Sequence, residues 1–291
     1  MDSVSLDFTE RVAATWKYCE QKTQCAVPEF SGHKWTFSKT TNVQFSLAVL
    51  NGEWKYGFGS PFGQADTMSK LLNHSNFKKL RIRSIQVLGT SNADSLTLKP
   101  LDGVSVEKLL NFVSFLANEP KISLHKDCLA QSLDRDCAIL LKWLGDRWFS
   151  NISIWSYRSI YNSILQKQVS RRIPTFISVY EAIEDTDFIA DQLRSGEMTR
   201  FFTNVRVVFP SAVMEGIIES FLRCSSKKRF HIAAYFDNWT YVHLWKMVGD
   251  GLRRHDAGGF VFANPVDRVK VSYSATQTDG CRKYYVISCS E

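Results

Sequence analysis

The chain has 291 residues, 44% hydrophobic and 22% charged, with a formal net charge of +7. This mixture is typical of a folded globular protein and disfavours a disordered or fibrous chain. No apolar run approaches the roughly 18 residues that span a bilayer, and residues 1–20 lack the apolar core of a secretory signal. We therefore expect a cytoplasmic or nuclear protein that is not secreted and does not bind a membrane.

The first predicted element is a short helix within an N-terminal segment, residues 1–30. Asp7 is suited to cap this helix, and Glu10 follows three residues later. Val12, Ala13 and Trp16 then share one side of the helix. The spacing therefore predicts one apolar helical face near the start of the chain.

A β-hairpin is the clearest local prediction and belongs to residues 31–65. Apolar residues alternate with polar or small ones from Val43 to Val49 and again from Trp54 to Phe58. Asn51-Gly52 joins the two runs. This dipeptide favours a type I′ turn, because both turn residues then need positive φ.

Strands and helices alternate through the remaining segment, residues 66–291. The phrase Phe-x-x-apolar-x-apolar begins at Phe77, Phe149 and Phe202, and each copy predicts a turn followed by a strand. Helical patterns separate most strands, as in the helix that Ser105 is suited to cap. The alternating residues from Val269 to Cys289 predict a closing hairpin. Further strands are expected near Leu98, Ile122, Ile177 and Ile232.

These elements place the chain in the α/β class as an irregular strand–helix array, with an N-terminal helix and β-hairpins near both ends. Strand centres from Leu98 to Ile232 recur every ~27 residues on average, and leucine-rich repeats have periods of about 20–29 residues. In the last copy of the phrase, Val205 and Val207 are the predicted strand residues. The steps are uneven and the usual Leu and Asn scaffold is missing. A leucine-rich-repeat-like array and an open, mostly parallel sheet therefore both remain as architectures.

Strand alternation also predicts a shared surface. If the strands stack in parallel, residues that point away from the apolar ones lie together on one face of the sheet. Arg and Trp are enriched at binding hot spots, and acidic residues such as Asp134 and Glu181 interrupt the positive charge, which favours a protein partner. Solvated charges without a partner are the simpler alternative. The candidate partner-binding residues are Arg81, Arg83, Ser153, Trp155, Arg206 and His231.

The opening run from Val4 to Val12 resembles the first turn and helix of an F-box. The chain also resembles the nematode F-box-associated proteins, in which such an opening precedes irregular strand–helix units. The resemblance implies substrate recognition for an SCF-type ubiquitin ligase that docks through a Skp-type adaptor. Ser5 replaces the proline expected of an F-box, and the later F-box helix has no clean equivalent. The adaptor-docking residues would be Leu6, Phe8 and Val12.

No residue constellation in the sequence specifies a reaction. It contains no Ser-His-Asp signature, no nucleophile elbow and no Cys-x-x-Cys pair among its seven cysteines. We therefore expect reduced thiols, no metal, no cofactor and no enzymatic activity, and interpret the chain as a protein-interaction module. Basic clusters such as Lys227–Arg229 leave a nucleic-acid-binding protein as an alternative, and an enzyme with an unrecognised site is the third interpretation.

Overall fold

The structure, a computed structural model, describes only part of the chain. The predicted N-terminal helix, with Leu6, Phe8 and Val12, lies outside the described residues. The chain divides into two units, Met1–Thr41 and Asn42–Glu291. The described strands belong to the second unit, except for Thr41, the first residue of the first strand. The described ranges are 41–59, 66–73, 80–89, 98–126, 128, 135–171, 175–223, 231–237, 241–255, 259–263, 268–274 and 282–290.

The described strands join into one sheet, and short helices lie between many of them. The strands are β1 (Thr41–Leu50), β2 (Glu53–Gly59), β3 (Leu80–Leu88), β4 (Lys99–Pro100), β5 (Ala117–Leu124), β6 (Asn151–Tyr157), β7 (Phe176–Ile183), β8 (Arg200–Thr203), β9 (Val208–Phe209), β10 (His231–Asp237), β11 (Arg253–His255), β12 (Gly259–Ala263), β13 (Arg268–Ser274) and β14 (Arg282–Ser290). The helices are α1 (Met68–Leu72), α2 (Val106–Leu116), α3 (Arg135–Asp146), α4 (Asn162–Ser170), α5 (Thr186–Arg194), α6 (Ser211–Leu222) and α7 (Tyr241–Val248).

The centre of the sheet is parallel, in the order β3-β5-β6-β7-β8-β10. On one side lie β1, β2 and β4, which pair with one another antiparallel. On the other side β14, β13, β12 and β11 form an antiparallel meander that pairs with β10. The short strand β9 pairs with β10 in parallel. The α/β class and the open, mostly parallel sheet are therefore confirmed.

Helices α2 to α7 cover one face of this sheet. Each parallel strand has its successor along the chain as its neighbour, and right-handed crossovers that run in one direction place their helices on the same side. The buried side chains of the helices form one core cluster with alternate residues of the strands. None of the described helices covers the opposite face. Representative core residues are Leu110, Ile152, Ile177, Met214 and Ile232, each at most 1% exposed.

Both predicted hairpins are present. β1 and β2 pair antiparallel along their length, and the turn residues Asn51 and Gly52 have φ values of 54° and 79°. These positive values are the ones that a type I′ turn requires. β13 and β14 pair antiparallel near the C-terminus. Both hairpins were therefore predicted correctly, and the φ values of Asn51 and Gly52 confirm the turn chemistry of the first.

The helix predicted after Ser105 is confirmed as α2. The Ser105 hydroxyl accepts a hydrogen bond from the backbone N–H of Lys108 at 3.2 Å, which satisfies one of the free donors of the first helical turn. The apolar stripe of this helix faces the core. Its buried residues are Val106, Leu109, Leu110, Val113 and Leu116.

The strand predicted near Leu98 is present but lies elsewhere in the sheet, and the strand predicted at Val205 and Val207 was wrong. The strand expected near Leu98 is the short β4, which pairs antiparallel with β2 and does not join the parallel strands. Val205 and Val207 lie in the connection between β8 and β9, and Phe202 lies inside β8. Both valines are partly buried against the core cluster. An apolar alternation therefore marked a connection that packs on the core, and it was mistaken for a strand.

Gly196 supplies a test of the packing between α5 and α6. Its φ is 73°, and a Cβ at this position would lie 2.7 Å from Cβ of Ser220. Positive φ costs about 1–2 kcal/mol for an L-residue, and overpacking adds about 1–3 kcal/mol. We therefore expect Gly196→Ala to lower the free energy of unfolding by about 2–5 kcal/mol in urea denaturation followed by circular dichroism.

The matched control is Gly103→Ala. Gly103 has a φ of 79° and no atom within 4 Å of a built Cβ, so only the conformational cost applies there. A Ser220→Gly background should bring the cost of Gly196→Ala down to that of the control. Equal losses for both alanine variants in the wild-type background would contradict the close contact between α5 and α6.

Candidate functional site

The face of the sheet opposite the helices, hereafter the open face, carries the residues that alternate with the buried apolar ones. The strand register aligns them in three rows that run across the strands. The first row contains Lys121, Asn151, Phe176, Arg200 and His231. The middle row contains Ser123, Ser153, Ser178 and Phe202. The last row, nearest the carboxyl ends of the parallel strands, contains His125, Trp155 and Tyr180.

Four rings on the open face form a continuous series of contacts, hereafter the aromatic run. His125 stacks on Trp155 with ring centroids 5.5 Å apart and an interplanar angle of 18°. Trp155 contacts Tyr180 at 5.6 Å, and Tyr180 contacts Phe202 at 6.1 Å. Such ring pairs contribute about 0.5–1.5 kcal/mol each beyond their burial. The rings are therefore held in place by one another, although Trp155 remains 40% exposed.

Small hydroxyl side chains lie between the aromatic run and the first row. Ser123, Ser153 and Ser178, hereafter the serine row, are cross-strand neighbours on β5, β6 and β7. Ser153 donates a hydrogen bond to Oδ1 of Asn151 at 3.1 Å. Ser178 is only 2% exposed, and its hydroxyl makes no hydrogen bond within the part of the chain that the structure describes. The serine row therefore consists of small side chains that lie between two rows of larger ones.

The first row supplies positive charge to the open face. Lys121 is exposed, and Arg200 lies beside His231 on the neighbouring strand. Burial lowers the pKa of His231, and the charge of Arg200 lowers it further. Burial also lowers the pKa of His125. Because a lowered pKa favours the neutral form of His231, the charge of the first row comes mainly from Lys121 and Arg200.

One ion pair lies beside the aromatic run. Lys126 follows His125, Glu181 follows Tyr180, and their charged groups are 3.6 Å apart. Both side chains are about half exposed, so the pair contributes little to stability. Its main effect is to offset one positive charge at this end of the open face.

Polar residues near the carboxyl ends of the strands form a structural network. The Tyr157 hydroxyl donates to Asn162, and Nδ2 of Asn162 donates to Asp185 at 2.7 Å. Asp185 also accepts from the backbone N–H of Phe188 at 3.0 Å and thereby caps α5. The hydrogen bonds from Asn162 and Phe188 lower the pKa of Asp185, and burial raises that of Tyr157. These groups join β6, α4 and α5, which accounts for their arrangement.

Three of the predicted partner-binding residues lie within the three rows of the open face. Ser153 and Trp155 are close neighbours on β6, and Trp155 belongs to the aromatic run. His231 lies farther along the first row, where its ring is 6.1 Å from that of Phe176. The structure therefore brings Ser153 and Trp155 together and places His231 toward the far end of the same face.

The other predicted residues are more distant. Arg81 and Arg83 lie at the start of β3, on the side opposite its buried residues, and Arg83 donates to Oδ1 of Asn42 at 3.4 Å. Arg83 is about 16 Å along the strand direction from the level of Trp155. Arg206 lies in the connection between β8 and β9, outside the three rows.

Sequence reasoning missed His125, Tyr180 and Phe202. Each of these residues alternates with buried residues of its own strand, which is the same signal that identified Trp155. Phe202 was assigned to a turn because the strand was placed at Val205 and Val207, whereas β8 ends at Thr203. His125 follows the last residue of β5, and its backbone N–H continues the ladder by bonding to the carbonyl of Val87 at 2.9 Å.

Within the described ranges, no group of three or more His, Cys, Asp or Glu side chains is arranged to hold a metal ion. Among the same residues, no helix combines the length and apolar character needed to cross a membrane. In comparisons with known proteins, no family model, no curated protein and no solved structure matches the chain.

The neighbouring charge of Arg200 predicts a specific change in the titration of His231. We expect Arg200→Gln to raise the pKa of His231 and yet leave it below 6.5, because burial is the larger cause of the shift. NMR titration of the histidine ring protons measures this value. His125 is the internal control, since its pKa is lowered by burial and should stay unchanged.

The same shifts set the sign of a pH effect on stability. A histidine whose pKa is lowered in the folded state binds protons less readily there than in the unfolded chain. As the pH falls below 6.5, the free energy of unfolding should therefore fall. A rise over this interval, or a His231 pKa that does not respond to Arg200→Gln, would contradict the described surroundings of the first row.

Proposed function

We propose that the chain is a non-enzymatic protein-interaction module that binds an acidic protein partner through the open face. The observation that carries the proposal is the aromatic run on a sheet face that the described helices leave uncovered. Partly exposed Trp and Tyr side chains, held by ring contacts, are the kind of anchor that dominates protein interfaces. A platform built on hydrogen-bonded strands is also rigid, which reduces the entropy lost on binding.

Charge on the open face favours an acidic partner. Along the parallel strands and at Lys126, the described cationic residues of this face outnumber its carboxylates, which are Glu181 and Asp237. A protein with acidic groups would complement this field, and such complementarity raises association rates and selects against wrong partners. The cationic residues of this part of the face are Arg81, Arg83, Lys121, Lys126 and Arg200.

Single-stranded nucleic acid is the competing occupant, because such ligands also stack on aromatic rings beside cations. Two features favour protein. Glu181 lies within the carboxyl-end part of the aromatic run and neutralises Lys126, so a phosphate chain following the rings would meet a carboxylate. In addition, the serine row between the aromatic run and the first row is uncharged.

The family resemblance supports a second part of the proposal, a role in substrate selection for an SCF-type ubiquitin ligase in the cytoplasm or nucleus. In this role the N-terminal segment would bind a Skp-type adaptor through Leu6, Phe8 and Val12, and the open face would bind the substrate. The three docking residues lie outside the described residues, so the support for this part comes from the sequence.

Trp155→Ala tests the use of the open face. We expect affinity purification with quantitative mass spectrometry to recover at least one acidic protein with the wild-type chain, and its yield to fall by about tenfold or more with the variant, the effect of removing a hot-spot residue. Trp245→Ala is the matched control, because Trp245 is 49% exposed on α7, on the covered side of the sheet. Equal yields from the two variants would refute the proposed face.

A nucleic-acid ligand predicts a different result. Binding of a fluorescent oligothymidine by the wild-type chain, with an affinity that falls steeply as salt rises and is lost in Trp155→Ala, would replace the protein partner with nucleic acid.

The adaptor part has its own test. We expect a purified Skp-type adaptor to co-elute with the full chain, and Leu6→Asp with Phe8→Asp to abolish that complex by placing charge on the apolar docking surface. Loss of binding should leave the circular dichroism spectrum and capture through the open face unchanged. Absence of any complex with the wild-type chain would remove the ligase role and leave the open-face proposal intact.

A further inference from the structure

The three rows of the open face form a shallow trough that crosses the strands. Its floor is the serine row on β5 to β7, which ends at the ring of Phe202 on β8. One side is formed by His125, Trp155 and Tyr180, and the other by the first row. The two sides are four residues apart along each strand, about 13 Å. A single extended peptide occupies about 10 Å in this direction, the spacing of packed sheets. The trough therefore has the width of one extended chain.

The floor contains a polar group that a ligand would satisfy. Ser178 is 2% exposed, and its hydroxyl has no hydrogen-bond partner among the described residues. Its side chain belongs to the open face, since the neighbouring residues Ile177 and Val179 face the core. The buried side-chain atoms left without a partner among the described residues are Nε1 of Trp54 and Nε1 of Trp148, so the Ser178 hydroxyl is not sealed within the fold. A peptide in the trough offers backbone N–H and C=O groups with which this hydroxyl could form a hydrogen bond.

The two sides of the trough differ in chemistry. One side presents the rings of His125, Trp155 and Tyr180. The other presents Lys121 and Arg200 at its two ends, with Asn151 and Phe176 between them and no carboxylate in the row. Side chains of an extended peptide point alternately to opposite sides. A chain lying in the trough would therefore place every second side chain against the rings, and the first and last of the intervening ones against the cations.

We propose that the trough binds an extended peptide segment of the partner in which acidic and apolar residues alternate. This proposal rests on the proposed function and specifies which part of the partner is recognised. From β5 to β8 the trough is about 14 Å long, which an extended chain covers with four to five residues. The recognised segment is thus a short linear motif that crosses the strands.

Two synthetic peptides of identical composition test the alternation. In the first, Glu and Leu alternate through its central eight positions; in the second, the same residues form one acidic and one apolar block. Both carry fluorescein, and binding to the full chain is measured by fluorescence anisotropy. We expect the alternating peptide to bind about tenfold more tightly, corresponding to about 1.4 kcal/mol.

Charge and ring variants identify the two sides. Lys121→Glu and Trp155→Ala should each weaken binding of the alternating peptide by about fivefold or more. Lys108→Glu and Trp245→Ala are the matched controls, because both residues are exposed on the helical side of the sheet, and they should leave the affinity unchanged.

Ser178→Ala distinguishes a role of the hydroxyl in ligand binding from a role in the stability of the fold. Removing the hydroxyl should weaken binding of the alternating peptide several-fold because a hydrogen bond to the ligand is lost. The free energy of unfolding should stay the same or rise, because the unpartnered hydroxyl is gone. A variant that binds normally and unfolds more easily would assign Ser178 to the fold and overturn its role in the trough.

The remaining outcomes separate this inference from the proposed function. Equal affinities of the two peptides, or no binding of either, would overturn the extended motif; if capture of a protein partner still depended on Trp155, the proposed function would stand. A dimer that dissociates in Trp155→Ala would assign the trough to a second copy of the chain. Oligothymidine that displaces the alternating peptide would assign the trough to nucleic acid. Either the dimer or the displacement by oligothymidine would overturn the inference.

Discussion

The handedness of the strand–helix–strand crossover is the constraint on which the rest of this structure depends. A right-twisted strand, a helix and the next parallel strand pack together only in one hand. Because the parallel strands follow one another from β3 to β10 in a single direction, every crossover helix lies on the same side. The sheet consequently has one face that forms the core and one that the described helices do not cover. The burial pattern of β6 records this division, since Ile152 and Ile154 are buried whereas Trp155 is exposed.

A face that cannot be buried by its own helices usually carries charged and polar residues. Here it carries rings in mutual contact, small hydroxyl groups and a first row with two cations. Ring contacts reduce the exposed apolar area, because each ring covers part of its neighbour. They also fix the ring positions before any partner arrives. The arrangement therefore keeps the open face compatible with water and would preorganise it for the partner binding that we propose.

How far the sequence predicts such a molecule depends on the range of the interaction. The hairpin at Asn51-Gly52 and the capped helix α2 follow from local chemistry, and both were predicted correctly. The class and the mostly parallel sheet followed from the alternation of strand and helix patterns. The same alternation could not decide between a repeat array and an open sheet, because that choice depends on which strands pair with one another.

The site shows the same limit. Alternation alone identified Ser153 and Trp155 on the open face, but contact between Trp155 and Tyr180 depends on the register of β6 with β7. Arg206 was misplaced because the valines around it pack on the core from a connection and imitate a strand. Register and crossover direction are non-local properties, and a single sequence carries no direct signal for either.

Hydroxyl-radical footprinting of the unliganded chain, with oxidation of each residue measured by mass spectrometry, tests the two-faced sheet most directly. Trp155 is 40% exposed, whereas Tyr157, which packs in the core after the register of β6 with β7 shifts between Ile154 and Ser156, is 0% exposed. We expect rapid oxidation of Trp155, comparable with that of Trp245 on α7, and strong protection of Tyr157. Protection of Trp155 equal to that of Tyr157 would show that the open face is covered in the free protein and would contradict a sheet with one uncovered face.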